Sequence, residues 1–95
     1  MILQRTFQPG DWVVFRKIKR STSPGPRARH VSPSRFGEEY TYEVEKYWVV
    51  EEVQHDQLVV RTRRGKRHVL RSQDQRLRRA NLWERLMYRD RFPTS

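Results

Sequence analysis

Three histidines, His30, His55 and His68, are the side chains of this sequence best suited to proton transfer near neutral pH. They stand 25 and 13 residues apart with no i, i+4 pair, and the chain has no cysteine to join them. A zinc site needs three or four clustered ligands, so the spacing points away from a metal. General acid–base cleavage of RNA would need His68 or His55, a carboxylate such as Glu43, and an arginine for the developing negative charge. No motif ties such groups together. The sequence also holds no phosphate-binding P-loop, no dinucleotide glycine pattern and no nucleophile elbow. The reading is a non-enzyme with no catalytic residue, no metal and no cofactor.

What the chain has in excess is positive charge. Lysine and arginine number 21 against 11 acids, a formal net charge of +10. A GC-rich genome accounts for arginine over lysine, but not for cations over acids. The charge is also blocked along the chain: residues 1–37 carry +7, residues 38–60 carry −6 and residues 61–79 carry +8. The second basic block opens on Arg61 and centres on Thr62-Arg63-Arg64-Gly65-Lys66-Arg67, four cations on one short hairpin tip. Such a finger can straddle a phosphate backbone, each neutralised phosphate adding to the salt dependence of binding; the plainer reading is a solubilising tip. The first block holds Arg16, Lys17, Lys19, Arg20, Arg27, Arg29 and Arg35. It reads as a basic arm that orders on a polyanion, or else as a tolerated insertion with solvated charges. Trp12, Tyr40, Tyr42, Tyr47, Trp48 and Trp83 could stack on unpaired bases. In a small core most of them pack, and Trp48, Tyr42 and Trp12 are assigned there. Tyr47, sharing parity with Glu43 and Glu45, is the ring expected to be exposed. The acids Glu38, Glu39, Glu43, Glu45, Glu51 and Glu52 are expected mainly in cross-strand pairs with the cations. The alternative is that they confine a nucleic acid to the opposite face.

The elements that position these groups must fit in 95 residues, one domain's worth of chain. That length excludes a two-domain dehydrogenase or an α/β barrel. Hydrophobic residues at 35% and charged residues at 34% leave only a small core. Asp11–Lys17 reads as a strand entered through the Pro9-Gly10 turn. Residues 18–39 hold all of Pro24, Gly25, Pro26, Pro33 and Gly37 and read as a long mobile basic loop. Pro24-Gly25 suits the centre of a type II turn, and Val31 and Phe36 could anchor the return. Tyr40–Val53 is the most strand-like stretch. Both parities turn apolar from Tyr47 to Val50, which suggests a bend with a bulge near Lys46. His55-Asp56 turns into a strand at Leu58–Thr62, and Arg63-Arg64-Gly65 is a three-residue hairpin loop leading into Lys66–Arg71. Ser72–Arg79 reads as a turn or short helical turn. Asn81 and Glu84 form a capping-box pattern opening a helix to about Arg91 that buries Leu82 and Leu86, with Trp83 and Met87 as further candidates.

One strand, a long loop, three strands joined by tight turns and a short helical turn: this order is similar to an SH3-like small β-barrel. The opening Pro9-Gly10-Asp11-Trp12-Val13-Val14 resembles the first strand of SH3-like DNA-binding domains at the C-termini of retroelement integrases. Ser23-Pro24-Gly25-Pro26-Arg27 and Ser32-Pro33-Ser34-Arg35 resemble Ser-Pro-basic motifs that enter DNA minor grooves. The chain departs from the integrase pattern in its longer first loop, its C-terminal helix and the lack of a catalytic domain. The expectation is therefore a single, mainly β domain over residues 1–95. Its SH3-like barrel of about five strands would cover residues 7–79, with a helix over 81–91. Its expected work is phosphate-directed binding of DNA or RNA through Arg16, Lys17, Lys19, Arg20, Arg27, Arg29, Tyr47, Arg61, Arg63, Arg64, Lys66 and Arg67. The alternative is an SH3-like module that binds a protein partner. No apolar run is long enough for a membrane span and no export signal is visible, so no membrane contact and a cytoplasmic location are expected.

Overall fold

A computed structural model describes residues 6–33 and 39–93. The protein is mainly β. Its strands are β1 (Trp12–Ser21), β2 (Arg29–Pro33), β3 (Tyr40–Gln54), β4 (Gln57–Arg61), β5 (Arg67–Arg71) and β6 (Leu77–Arg79), followed by the short helix α1 (Leu82–Met87). They form one antiparallel sheet in the order β5-β4-β3-β1-β6, with β2 also paired to β3. The sheet is open among the described residues: its path ends on β5 and β6 rather than closing into a barrel. The chain divides into two compact units, Met1–Phe15 with Tyr47–Ser95, and Arg16–Lys46.

In the first unit the apolar runs Trp12–Phe15 and Tyr47–Val50 make sense because the strands are covered on both faces. One cluster joins Phe7, Val13, Phe15, Trp48, Val50, Leu58, Val60 and Leu77. A smaller one joins Val14, Tyr47 and Phe92, with Trp12, Ala80 and Tyr88 packed against it. Neighbouring residues of one strand thus enter different clusters, which removes the need for a bulge near Lys46. The irregularity lies further on: Val50 pairs with Val60 and Glu52 with Val59, so Glu51 is the extra residue. Gln8-Pro9-Gly10-Asp11 is closed by the Asp11 N–H donating to the Gln8 carbonyl at 3.0 Å, with Gly10 at φ +93° as a type II turn requires. The segment 72–79 is not all turn. Leu77 is fully buried, and its burial draws β6 alongside β1, with Phe15 opposite Leu77 and Val13 opposite Arg79.

In the second unit nine of the described residues of the expected loop 18–39 are strand. β1 continues to Ser21, and β2 pairs with β3 through Arg29–Glu43, Ser32–Thr41 and Pro33–Tyr40. An extra residue between Arg29 and Ser32 is absorbed by His30 at φ +52°, a conformation histidine enters more readily than bulkier side chains. Val31 is exposed and anchors nothing; the backbone ladder, the Arg29–Glu45 ion pair and the approach of His30 to Glu43 hold this return instead. The turn before it is Gly25-Pro26-Arg27-Ala28, closed by the Ala28 N–H on the Gly25 carbonyl, because Pro26 fixes the φ its second position needs. Gly25 itself has no positive φ, so the Pro24-Gly25 type II turn does not form. Arg35 and Phe36 lie outside the described residues.

The capping box is present: the Glu84 N–H donates to Asn81 Oδ1 and the Asn81 N–H donates to Glu84 Oε1. Two expectations for the helix are corrected. It stops at Met87, because Tyr88 and Phe92 turn inward to the second cluster. Its buried side is Glu84, while Leu82, Trp83, Leu86 and Met87 are all exposed. Arg78 is the reason: its guanidinium grips the Glu84 carboxylate with two bonds of 2.6 and 2.7 Å and holds that face inward.

Candidate nucleic-acid interface

The hairpin tip between β4 and β5 is built as its sequence suggests. The Thr62 N–H donates to the Lys66 carbonyl, the Gly65 N–H donates to the Thr62 carbonyl, and the Lys66 N–H donates to Thr62 Oγ1. Gly65, at φ +87°, closes the loop of Arg63, Arg64 and Gly65. Arg63, Arg64 and Lys66 are exposed there and form no ion pair with a described acid. Arg61 and Arg67 are different. They stand directly opposite each other on β4 and β5, a repulsive placement that Glu51 relieves at 2.9 Å and 2.8 Å. The bulge gives Glu51 its place on β3, so these two arginines serve the sheet first.

The second unit sorts its charges by strand face. On one side Glu43 meets Arg16 at 3.9 Å and His30 at 3.8 Å, and Glu45 accepts a hydrogen bond from Arg29 at 3.1 Å. Lys46 has the opposite parity on β3 to Glu43 and Glu45, and it meets other cations instead. Its ammonium lies against Lys19, with Lys17 and Arg27 close enough to repel it. Partial burial, and then these like charges, lower the Lys46 pKa below the ordinary lysine value. None of Lys17, Lys19, Arg20, Arg27 or Lys46 pairs with a described acid. Three cations therefore crowd Lys46 with no counter-charge among the described residues, an arrangement that favours an anion with several oxygens.

Of the residues expected to bind, Lys17, Lys19 and Arg27 are brought together, and Arg63, Arg64 and Lys66 share the hairpin tip. Arg20 is exposed, and Arg16, Arg29, Arg61 and Arg67 are held in ion pairs. Tyr47 is a correction: only 8% of it is exposed, since Phe92 packs edge-on at 5.2 Å and Tyr88 lies at 5.4 Å. Parity with Glu43 and Glu45 misled because the returning C-terminal segment covers that face at Tyr47. Lys46 was missed. The signal was available, since it is the lone cation of the acidic block and falls on the opposite parity to Glu43 and Glu45.

Three further arginines act on the fold. Arg76 lies over the Phe15 ring and is held protonated by hydrogen bonds to Asp74. Arg79 joins Asp11 and the Phe7 ring, and Arg91 lies over Tyr88. His68 stacks on Trp48 at 4.9 Å, and His55 sits in the β3–β4 turn. Among the described residues no three metal-ligating side chains gather. Comparison with family models, curated proteins and solved structures found no match to this chain.

Proposed function

We propose that this protein is a non-catalytic nucleic-acid-binding module that grips its partner mainly through phosphates. One observation carries the reading: Lys17, Lys19 and Arg27 crowd Lys46 with no ion pair from any of the four to an acid among the described residues, while Glu43 and Glu45 on the same strand face Arg16, His30 and Arg29. Surface cations ordinarily find acids or spread apart, and this chain has acids nearby to use. A phosphodiester backbone supplies the missing charge at a spacing that several side chains can follow. The exposed Arg63, Arg64 and Lys66 provide a second group of phosphate donors. Phosphate contacts fix orientation rather than sequence, so DNA and RNA duplexes are both candidates, and a ribonucleoprotein is a natural setting.

The module is of the SH3-like kind. Supporting this is the order of a first strand, a long first connection, three strands joined by tight turns, and a last strand returning beside the first. A fluorescence-anisotropy titration with duplex DNA, single-stranded RNA and heparin, from about 50 to 300 mM salt, tests the function. Micromolar binding with a preference for nucleic acid over heparin, weakened by Arg64→Ala, is the expected result. Equal binding to all three would reduce the charge to a nonspecific property, and no binding at low salt would end the proposal.

A further inference from the structure

Helix α1 is mounted with its polar side inward. Glu84 is its buried residue at 7% exposure, whereas Leu82 is 70%, Trp83 65%, Leu86 61% and Met87 54% exposed. At 100° per residue these four apolar side chains fill one continuous arc, with Glu84 behind it. The exposure is not that of a loose end. The capping box, the two-bond grip of Arg78 on Glu84 and the packing of Tyr88 and Phe92 into the second cluster fix the element at both ends. Turning the apolar arc inward would break the two-bond grip of Arg78 on Glu84, which holds the polar side in place. A rigidly held group of Leu, Trp, Leu and Met facing water marks an interaction surface rather than a scattered exposed residue.

The surrounding charge selects the occupant. Arg85 borders the arc on the Leu82 side, braced over the Trp12 ring at 5.7 Å, and exposed Arg89 follows the last turn. On the other side Arg78 neutralises Glu84, which leaves Asp90 as the only exposed acid of residues 81–91. A second copy of this chain would bring the same arginines and another +10 charge against this rim. We propose that the exposed face of α1 docks an acidic, amphipathic protein segment, its apolar side chains on Leu82, Trp83, Leu86 and Met87 and its carboxylates on Arg85 and Arg89. The module would then join a nucleic acid to a protein, the two contacts using different residues.

Selection of a random peptide library on the full chain tests this, with affinities of the enriched peptides read by anisotropy. The expected peptides carry apolar residues at helical spacing flanked by Asp or Glu. Their affinity should fall about tenfold or more with Trp83→Ala and also with the milder Leu86→Ser. Arg85→Glu with Arg89→Glu should reverse the preference toward basic flanks. Far-UV circular dichroism, expected unchanged, shows that the variants keep the fold. Enrichment of neutral or basic-flanked peptides, no enrichment, or affinity indifferent to Trp83 would overturn the proposal. So would blue-shifted Trp83 fluorescence with phosphatidylglycerol vesicles in place of peptide, or dimerisation that Trp83→Ala abolishes. Nucleic-acid binding is measured on the same variants and is expected to be retained.

Discussion

Replacing Lys46 by methionine separates what the cation cluster does for binding from what it costs the fold. Methionine keeps the unbranched stem and removes the ammonium. Two penalties go with it: the desolvation of a partly buried charge, and repulsion from Lys19, Lys17 and Arg27. Each half-exposed like-charge contact is worth a few tenths to about 1 kcal/mol after solvent screening, so Lys46→Met should stabilise the protein by about 1 kcal/mol at neutral pH and low salt. In a chain of this size that is a rise in melting temperature of about 4–8 °C. Because the folded pKa of Lys46 lies below 10.5, the unfolded chain holds this proton more tightly. The penalty is therefore complete below the folded midpoint, and wild-type stability recovers relative to the variant as pH rises toward 10.5. The same substitution should weaken duplex binding and reduce its salt slope by about 0.9, one phosphate contact. Thermal unfolding by circular dichroism and anisotropy on the same samples measure both. A variant that melts lower than wild type, or that binds duplex unchanged, would refute the reasoning.

Glu84→Ala should cost about 2–3 kcal/mol, because it removes two charge-assisted bonds from Arg78 and half of the capping box; a urea midpoint lowered by about 1 M is the expected reading. Glu51→Gln leaves Arg61 and Arg67 facing each other without their shared carboxylate, and should lower stability by about 1 kcal/mol at low salt and less at high salt. Gly65→Ala meets no steric obstacle, so its cost should be the backbone penalty of φ +87° alone, about 1 kcal/mol by chemical denaturation, with Gly65→Asn costing less.

Local chemistry was readable where a residue type forces a geometry. Pro9-Gly10, the glycine of the Arg63-Arg64-Gly65 loop and the Asn81–Glu84 box each adopt the form their sequence implies. Strand centres were readable too, since Trp12–Phe15, Tyr40–Val53 and Leu58–Val60 carry strong β character. What escaped depends on distant partners. Residues 29–33 look like loop because Pro33 and the basic side chains hide a ladder supplied by β3. Burial of Tyr47 follows from Phe92, 45 positions along the chain, and neither local alternation nor parity contains that contact. The helix reverses for a similar reason: apolar spacing marks Leu82 and Leu86 as core, but Arg78 on β6 claims the opposite face through Glu84. Within the candidate interface, the basic blocks were plain from composition. Which cations were already committed to acids was not, because Glu51 reaches Arg61 and Arg67 only through a bulge.

The most direct test of phosphate binding at the cation cluster is the salt slope of duplex affinity for wild type and for Lys17→Ala combined with Lys19→Ala and Arg27→Ala. Each lost phosphate contact should reduce the slope of log affinity against log salt by about 0.9, so the triple variant should lose up to about 2.7. Circular dichroism and melting temperature should show the fold retained, with stability equal to or above wild type. A wild-type slope that the triple substitution leaves unchanged would contradict the account, since duplex binding would then not use the cluster on which it rests.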